Sequence, residues 1–311
     1  MPRVPTSLKL FWGCVAAVFV IGVAALQYLG PIKSVPALAA RGNGIPAPSP
    51  MLQAASSVDP AWKIPHPGPY GVTPMHYYAA RSTAAADQPR VAIMIAGIGY
   101  ALTPSLAAVH DLPAQISLAL SPYAPHDAAI AATARAAGHE TIIGLPMQVD
   151  GEPTFTAGDD ALRAGSAASH NLKRLDWALS RTAGYAGVTD TIGLTVPELF
   201  LKHQHAAAWL GDQLARAGVF MIVTSPNVSP PPGVVTGVAD VVIDPDTGIA
   251  AETAALNRLG TIALAHGHAL GVLNRPTGPA IAALAAWCKS LTAAHIALVP
   301  VSALALPAGS R

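Results

Sequence analysis

Arg90-Val-Ala-Ile-Met-Ile-Ala-Gly-Ile-Gly-Tyr100 is the stretch on which the reading of this chain turns. A short apolar run with β-branched residues, closed by glycines, predicts a buried parallel strand ending in a tight turn. Thr103-Pro104 behind it predicts a helix start, with Thr as N-cap and Pro in the first turn. In α/β proteins the loop after the first strand's carboxyl end is where ligands and catalytic groups sit. Here that loop holds Ala96, Gly97, Ile98 and Gly99, and Tyr100 alone brings a functional side chain.

Downstream the same pattern recurs. Short apolar runs predict strands at Val91–Ile95, Gln115–Leu120, Glu140–Leu145, Tyr185–Val188, Val219–Val223, Val241–Ile243, Ala269–Leu273 and Ile296–Val299. Between them, alanine-rich helical patterns cover Pro104–His110, His126–Ala137, His170–Thr182, Pro197–Ala217, Ile249–Ala265 and Gly278–Leu291. Gly138, Gly218 and Gly267 stand where left-handed helix caps are wanted. Strand–helix alternation argues for a parallel sheet, open or closed into a barrel. About seven units over about 220 residues fit one distorted (β/α) barrel, placed over residues 90–311.

Upstream of Arg90 the chain changes character. Leu10 to Leu29 carries no Asp, Glu, Lys or Arg, and a run of roughly 20 such residues is enough to cross a bilayer as a helix. Residues 1–30 therefore read as an N-terminal transmembrane signal anchor, with an N-in, C-out default. The competing reading is a cleaved signal peptide, for which Ala37-Leu38-Ala39 offers a site. Residues 31–89, rich in Pro, Ala, Gly and Ser without period, read as a largely disordered, semi-rigid linker. Within it Trp62, Tyr70, Tyr77 and Tyr78 are read as sticky positions that pack on the domain, with a docking motif as the other possibility. The implied location is the inner membrane, single-pass, with the domain in the periplasm.

Composition excludes several functions. A net charge of +1 with only 11% charged residues and no Lys/Arg cluster gives no footprint for nucleic acid. The two cysteines, Cys14 and Cys288, form no zinc-type spacing. There is no Gly-x-Ser-x-Gly elbow and no phosphate-binding Gly-x-x-x-x-Gly-Lys loop. His203 and His205, two apart on a helical pattern, face different ways and cannot share one ion.

Several segments, taken in order, resemble the divergent polysaccharide deacetylase family. They are Ile93-Met-Ile-Ala-Gly-Ile-Gly-Tyr100, Ile116-Ser-Leu-Ala-Leu-Ser-Pro-Tyr-Ala-Pro125, Ala136-Ala-Gly-His-Glu140 and Leu145-Pro-Met147. Tyr185-Ala-Gly-Val188, Gly218-Val-Phe220 and Val299-Pro-Val-Ser302 extend the likeness. The resemblance implies a distorted (β/α) barrel related to metal-dependent carbohydrate deacetylases. It also implies a divalent metal such as zinc, an acidic base and an acid for the leaving amine. Against that, the family's paired aspartates fall on Ala96 and Gly97, and its Asn-Asn-His-Met-Gly-Ser segment falls on Thr189-Asp-Thr-Ile-Gly-Leu194, which puts Thr191 at the histidine. Thr224-Ser225 stands where an Asp-Ser pair is expected, and Asn274 replaces a late histidine.

Two functional readings follow. The chain is a catalytically lapsed relative that binds an envelope glycan or protein, with no cofactor expected. Alternatively it is an active metal-dependent deacetylase acting on an N-acetylated envelope glycan. Asp190 and Asp244 are the candidate catalytic residues, and no metal ligand set is assigned. Strand-end positions nominate Tyr100, Tyr123, Met147, Asn274 and Arg275 for substrate binding by hydrogen bonding and ring stacking. Asp244-Pro-Asp246-Thr-Gly248 reads as a cation wrap or as an Asx turn before the next helix.

Overall fold

The computed structural model describes residues 44–305 except 86, 153 and 194–197, together with Trp12, Val15 and residues 17–21. The chain forms two compact units, residues 1–38 and residues 39–311. In the first unit the described residues are helical, and Trp12, Val18, Phe19 and Ile21 are exposed. Most of the expected anchor lies outside the described residues. Among the described residues no helix is long and apolar enough to cross a membrane.

The second unit begins with a two-stranded antiparallel hairpin, β1 (Gln53–Ala55) and β2 (Lys63–Pro65). The main sheet then opens with β3 (Arg90–Ile98), followed by β4 (Ser117–Leu120), β5 (Thr141–Gly144), β6 (Gly187–Thr189) and β7 (Phe220–Val223). It continues with β8 (Thr236–Val238), β9 (Val241–Ile243), β10 (His268–Leu273) and β11 (Ala297–Val299). All its pairings are parallel, in the order β8-β7-β6-β5-β4-β3-β10-β9, with β11 also paired to β3. β8 and β9, the two ends of that order, are separated only by Ala239 and Asp240. Asp240 makes the transfer: its amide donates to the Leu270 carbonyl, and its carboxylate accepts from the Leu270 amide at 2.8 Å. A sheet whose ends are this close in sequence has to be curled, and the architecture is a parallel half-barrel with helices outside.

Alternation along β3 explains its continuous apolar run. Ala92, Met94 and Ala96 join Ala119, Ile142, Phe220, Ile222, Leu270 and Val272 in one buried cluster. Val91, Ile93 and Ile95 are equally buried on the other face, the pattern of a parallel strand covered on both sides. Gly237 shows how the sheet curves, because a Cβ there would meet Ile222 of β7 and Leu270 of β10 together.

Helices Leu102–Asp111, Asp127–Ala137, Ala168–Ser180, Gln204–Ala217, Ile249–His266 and Gly278–Leu291 match the expected ones closely. The long helix expected over Pro197–Ala217 is instead broken at His203, behind a short helix Glu198–Lys202. Thr103 does not cap the first barrel helix, which starts a residue earlier behind Ala101. Ser105 supplies the polar contact, its hydroxyl accepting from the Gly99 amide at 2.8 Å. Gly138, Gly218 and Gly267 adopt the expected left-handed cap.

The linker reading is corrected over residues 44–85, which fold onto the amino-terminal ends of the barrel strands. Ile45, Leu52, Tyr78 and Ala80 are buried in the barrel's own core cluster. The Ser49 amide donates to Tyr78 Oη at 2.7 Å, and the Met75 amide donates to the Gly218 carbonyl. Ser56 hydroxyl bonds Asp176 on the helix Ala168–Ser180. Tyr78 is thus a packing residue, whereas Tyr70 is fully exposed at a turn tip. Proline-rich composition forbids a core of the segment's own, but the barrel's open end supplies one.

Glu140 binds this end together. It is fully buried and accepts from the Ala80 amide, the Ser117 hydroxyl and the Ser302 amide at 3.1, 3.1 and 3.2 Å. His139 beside it is held between the Ile116 and Val109 carbonyls. Both are structural groups, as expected at the amino-terminal face of such a sheet.

Candidate functional site

At the opposite end, loops after β3, β6 and β10 converge. Gly97, at φ +70, lies against the backbone of the β6 loop: a Cβ on it would stand 3.2 Å from Gly193 Cα, 3.3 Å from the Ile192 carbonyl oxygen and 3.6 Å from Arg275 Cβ. Gly193, at φ +88, packs back onto the Gly97 backbone and the Asn274 carbonyl. Both positions need glycine, for the left-handed backbone and for the close approach. Ala96, one residue earlier, is fully buried in the barrel core. The register of β3 against β4 shifts between Ile95 and Ile98, a bulge at the point where this backbone turns.

Asp190 sits at the end of β6, not in a surface turn. It is 1% exposed, and its Oδ1 accepts from the Thr224 amide at 3.0 Å, joining the ends of β6 and β7. Burial pushes its carboxyl up to about 7, against the opposing effect of hydrogen bonds from Thr224 and Thr189. Thr191, Thr224 and Ser225 are buried beside it. Asp244 lies apart and exposed, closing an Asx turn with the Asp246 amide at 2.9 Å. Asp246 in turn pairs with Arg275, whose side chain reaches outward across the loop.

The other nominated residues divide. Tyr100 is 38% exposed, and Asn274 and Arg275 are half-buried at the end of β10. Met147 is fully buried and bridges to Leu162, so its side chain belongs to the interior. Tyr123 packs on Trp177 with the rings tilted by 46° at a centroid separation of 5.0 Å, and it also packs on Val149, Ala157, Ala161 and Ile192, with its hydroxyl under Gly158. Burial pushes that hydroxyl up to about 12. A shallow surface groove lies elsewhere, lined by Leu52, Gln53, Lys63, Pro65, Tyr78 and residues 182–185.

Asp127, which sequence reasoning passed over, belongs to this end as well. It opens the helix Asp127–Ala137, is 4% exposed, and neither of its oxygens has a hydrogen-bond partner. Burial pushes it up to about 7, with Arg181 pulling the other way. An acidic residue at a helix start ordinarily serves the macrodipole, so nothing in the sequence marked it.

The architecture is a parallel α/β half-barrel whose loops after β3, β6 and β10 meet at one face. The profile of the divergent polysaccharide deacetylase family matches residues 93–305, and the chain belongs to that family. No curated protein matches it. Among solved structures it is similar to the uncharacterized protein ATU2773 from Agrobacterium tumefaciens C58, at 28% identity and a TM-score of 0.71 over 78% of this chain and 99% of that one. A putative cellobiose-phosphate cleavage protein from Enterococcus faecalis V583 is similar at 11% identity and a TM-score of 0.45, over 70% of this chain and 99% of that one.

The metal that the family resemblance implies does not fit the residues present. Its acidic positions are a core alanine and a glycine pressed on backbone. Among the described residues no three His, Cys, Asp or Glu side chains are grouped to hold an ion. Asp190, at the end of β6, accepts from the Thr224 amide through Oδ1.

Proposed function

We propose that this chain is a catalytically lapsed member of its family that serves as a glycan-binding module of the cell envelope. Its N-terminal apolar segment would hold it at the inner membrane, with the domain in the periplasm. Deacetylation of an N-acetyl sugar needs a Lewis acid or an equivalent oxyanion partner, and a base to activate water. The single observation behind the reading is the Gly97–Gly193 contact: backbone crowds the place where a side chain at position 97 would begin. What remains at this end is hydrogen-bonding, with aromatic rings at Tyr100, Tyr123 and Trp177. Such a surface suits sugar hydroxyls and ring faces.

The test is a zinc titration of the chelator-treated full chain, beside a titration with a soluble N-acetylglucosamine tetramer. The reading expects saturable tetramer binding and no stoichiometric zinc site. One equivalent of zinc, lost on Asp190→Asn or Asp244→Asn, would sink it in favour of the active deacetylase.

A further inference from the structure

The layer that residues 44–85 build over the amino-terminal end of the barrel carries a patch of exposed apolar side chains. Met51, Tyr70, Val72 and Tyr77 are exposed, Tyr70 completely. Gly68 ties three of them together. Its amide donates to the Val72 carbonyl at 2.7 Å, closing a turn with Tyr70 at its tip. A Cβ on Gly68 would stand 3.1 Å from the Met51 carbonyl oxygen. Tyr77 joins through its edge-on contact with Tyr78, whose hydroxyl accepts from the Ser49 amide two residues before Met51. Tyr70 is held at φ +59, a backbone that a bulky residue adopts only at a cost, while its ring lies wholly in solvent. The fold gains nothing from an aromatic residue at this position, so the partner of that ring lies outside the domain.

We propose that this patch rests on the surface of a lipid bilayer, the one that holds the chain's N-terminal apolar segment. Chain length favours lipid as the occupant. Residues 30–43 alone join Leu10–Leu29 to Gly44, and fully extended they span at most about 50 Å. The chain also enters the domain at this end, where the Ile45 amide donates to the Arg135 carbonyl in the last turn of the helix Asp127–Ala137. Charge favours it too. Residues 60–85 hold Lys63, His66, His76 and Arg81 and no acid. Asp59, the one acid of residues 44–85, spends its Oδ1 on the Ala61 amide. The loops after β5 and β9, at the opposite end, carry Asp150, Glu152, Asp159, Asp160, Asp244 and Asp246, and Arg163, Lys202 and Arg275 pair with only three of these. An anionic lipid surface therefore attracts the amino-terminal layer and repels the far end. Tyrosine, with an apolar ring and a polar tip, settles at the headgroup level of such a surface. The loops after β3, β6 and β10 are thereby turned away from the membrane.

This inference rests on the membrane anchor of the proposed function and adds which face the domain turns to the lipid. The test reconstitutes the full chain into vesicles of phosphatidylethanolamine and phosphatidylglycerol and reads nitroxide labels at two positions. On a Cys14→Ser, Cys288→Ala background, Tyr70→Cys places a label in the patch, and Phe155→Cys places one on the exposed loop after β5, at the opposite end. Both side chains are exposed, so the two labelled chains are expected to melt together. In vesicles the label at 70 is expected to collide several-fold less with a water-soluble nickel chelate than the label at 155, and more with oxygen. Equal access of the chelate to both labels overturns the lipid surface, leaves the anchor standing and assigns the patch to a protein partner. A full chain that does not float with the vesicles overturns both.

Discussion

Asp190→Asn separates a buried neutral carboxyl from a functional carboxylate. The side chain is 1% exposed, and burial raises its folded-state value from 3.8 to about 7. An acid whose folded pKa is raised binds its proton more tightly in the native state than in the unfolded chain. Its contribution is therefore fully present below about pH 4 and is lost as pH rises to about 7. A shift of about 3 units corresponds to at most on the order of 4 kcal/mol, at about 1.4 kcal/mol per unit. Asparagine keeps an oxygen for the Thr224 amide and removes the ionisation. The variant should match the unaltered chain near pH 4 and exceed it at pH 8 by roughly 2–4 kcal/mol. Denaturant unfolding at a series of pH values reads this directly, as the difference between the two proteins. The difference matters because Asp127, also raised to about 7, contributes a slope of the same sign in both. A variant less stable than the unaltered chain at pH 8 would show that ionised Asp190 is favourably solvated or paired, and would refute the reasoning.

Other perturbations probe the rest of the frame. Gly97→Ala should lower stability by about 1–2 kcal/mol from the left-handed backbone alone, with more from the Gly193 contact; an unchanged denaturation midpoint would contradict the packed carboxyl end. Tyr78→Ala should cost about 3 kcal/mol or more, because a buried ring and its bond to the Ser49 amide are both lost. Were residues 44–85 a loose linker, that substitution would leave unfolding untouched. Glu140→Ala strips the Ala80 amide, the Ser117 hydroxyl and the Ser302 amide of their acceptor, and should destabilise by about 3 kcal/mol or more in the same assay.

How much of this was legible in the sequence depended on where each residue finds its partner. β3 was readable because a strand covered on both faces must be apolar throughout, and its neighbours are in phase with it. The αL caps were readable because Gly138, Gly218 and Gly267 act locally. β8 was not, since Thr236-Gly-Val238 has no apolar run and becomes a strand only by pairing with β7. The fold of residues 44–85 was hidden for the same reason: Ile45, Leu52 and Tyr78 follow no period, and the surface that buries them comes from the barrel. At the site, the family resemblance located Ala96, Gly97, Thr191, Thr224 and Asn274 as replaced positions. It did not reveal that Gly97 is pinned by Gly193, a contact between residues 96 positions apart that only folding creates. Asp190 was singled out by its place after a strand, but its burial against Thr224 depended on the neighbouring strand's register. Asp127 reads as an ordinary helix start until Gly99 and Ala124 close over it.

The central proposal is that the carboxyl end of this barrel does not hydrolyse N-acetyl groups. The most direct measurement is acetate release from an N-acetylated glycan by the purified full chain, with zinc in excess and with chelator in parallel. The account predicts release indistinguishable from the buffer blank under both conditions. Zinc-dependent acetate release that chelator abolishes and Asp190→Asn diminishes would contradict it.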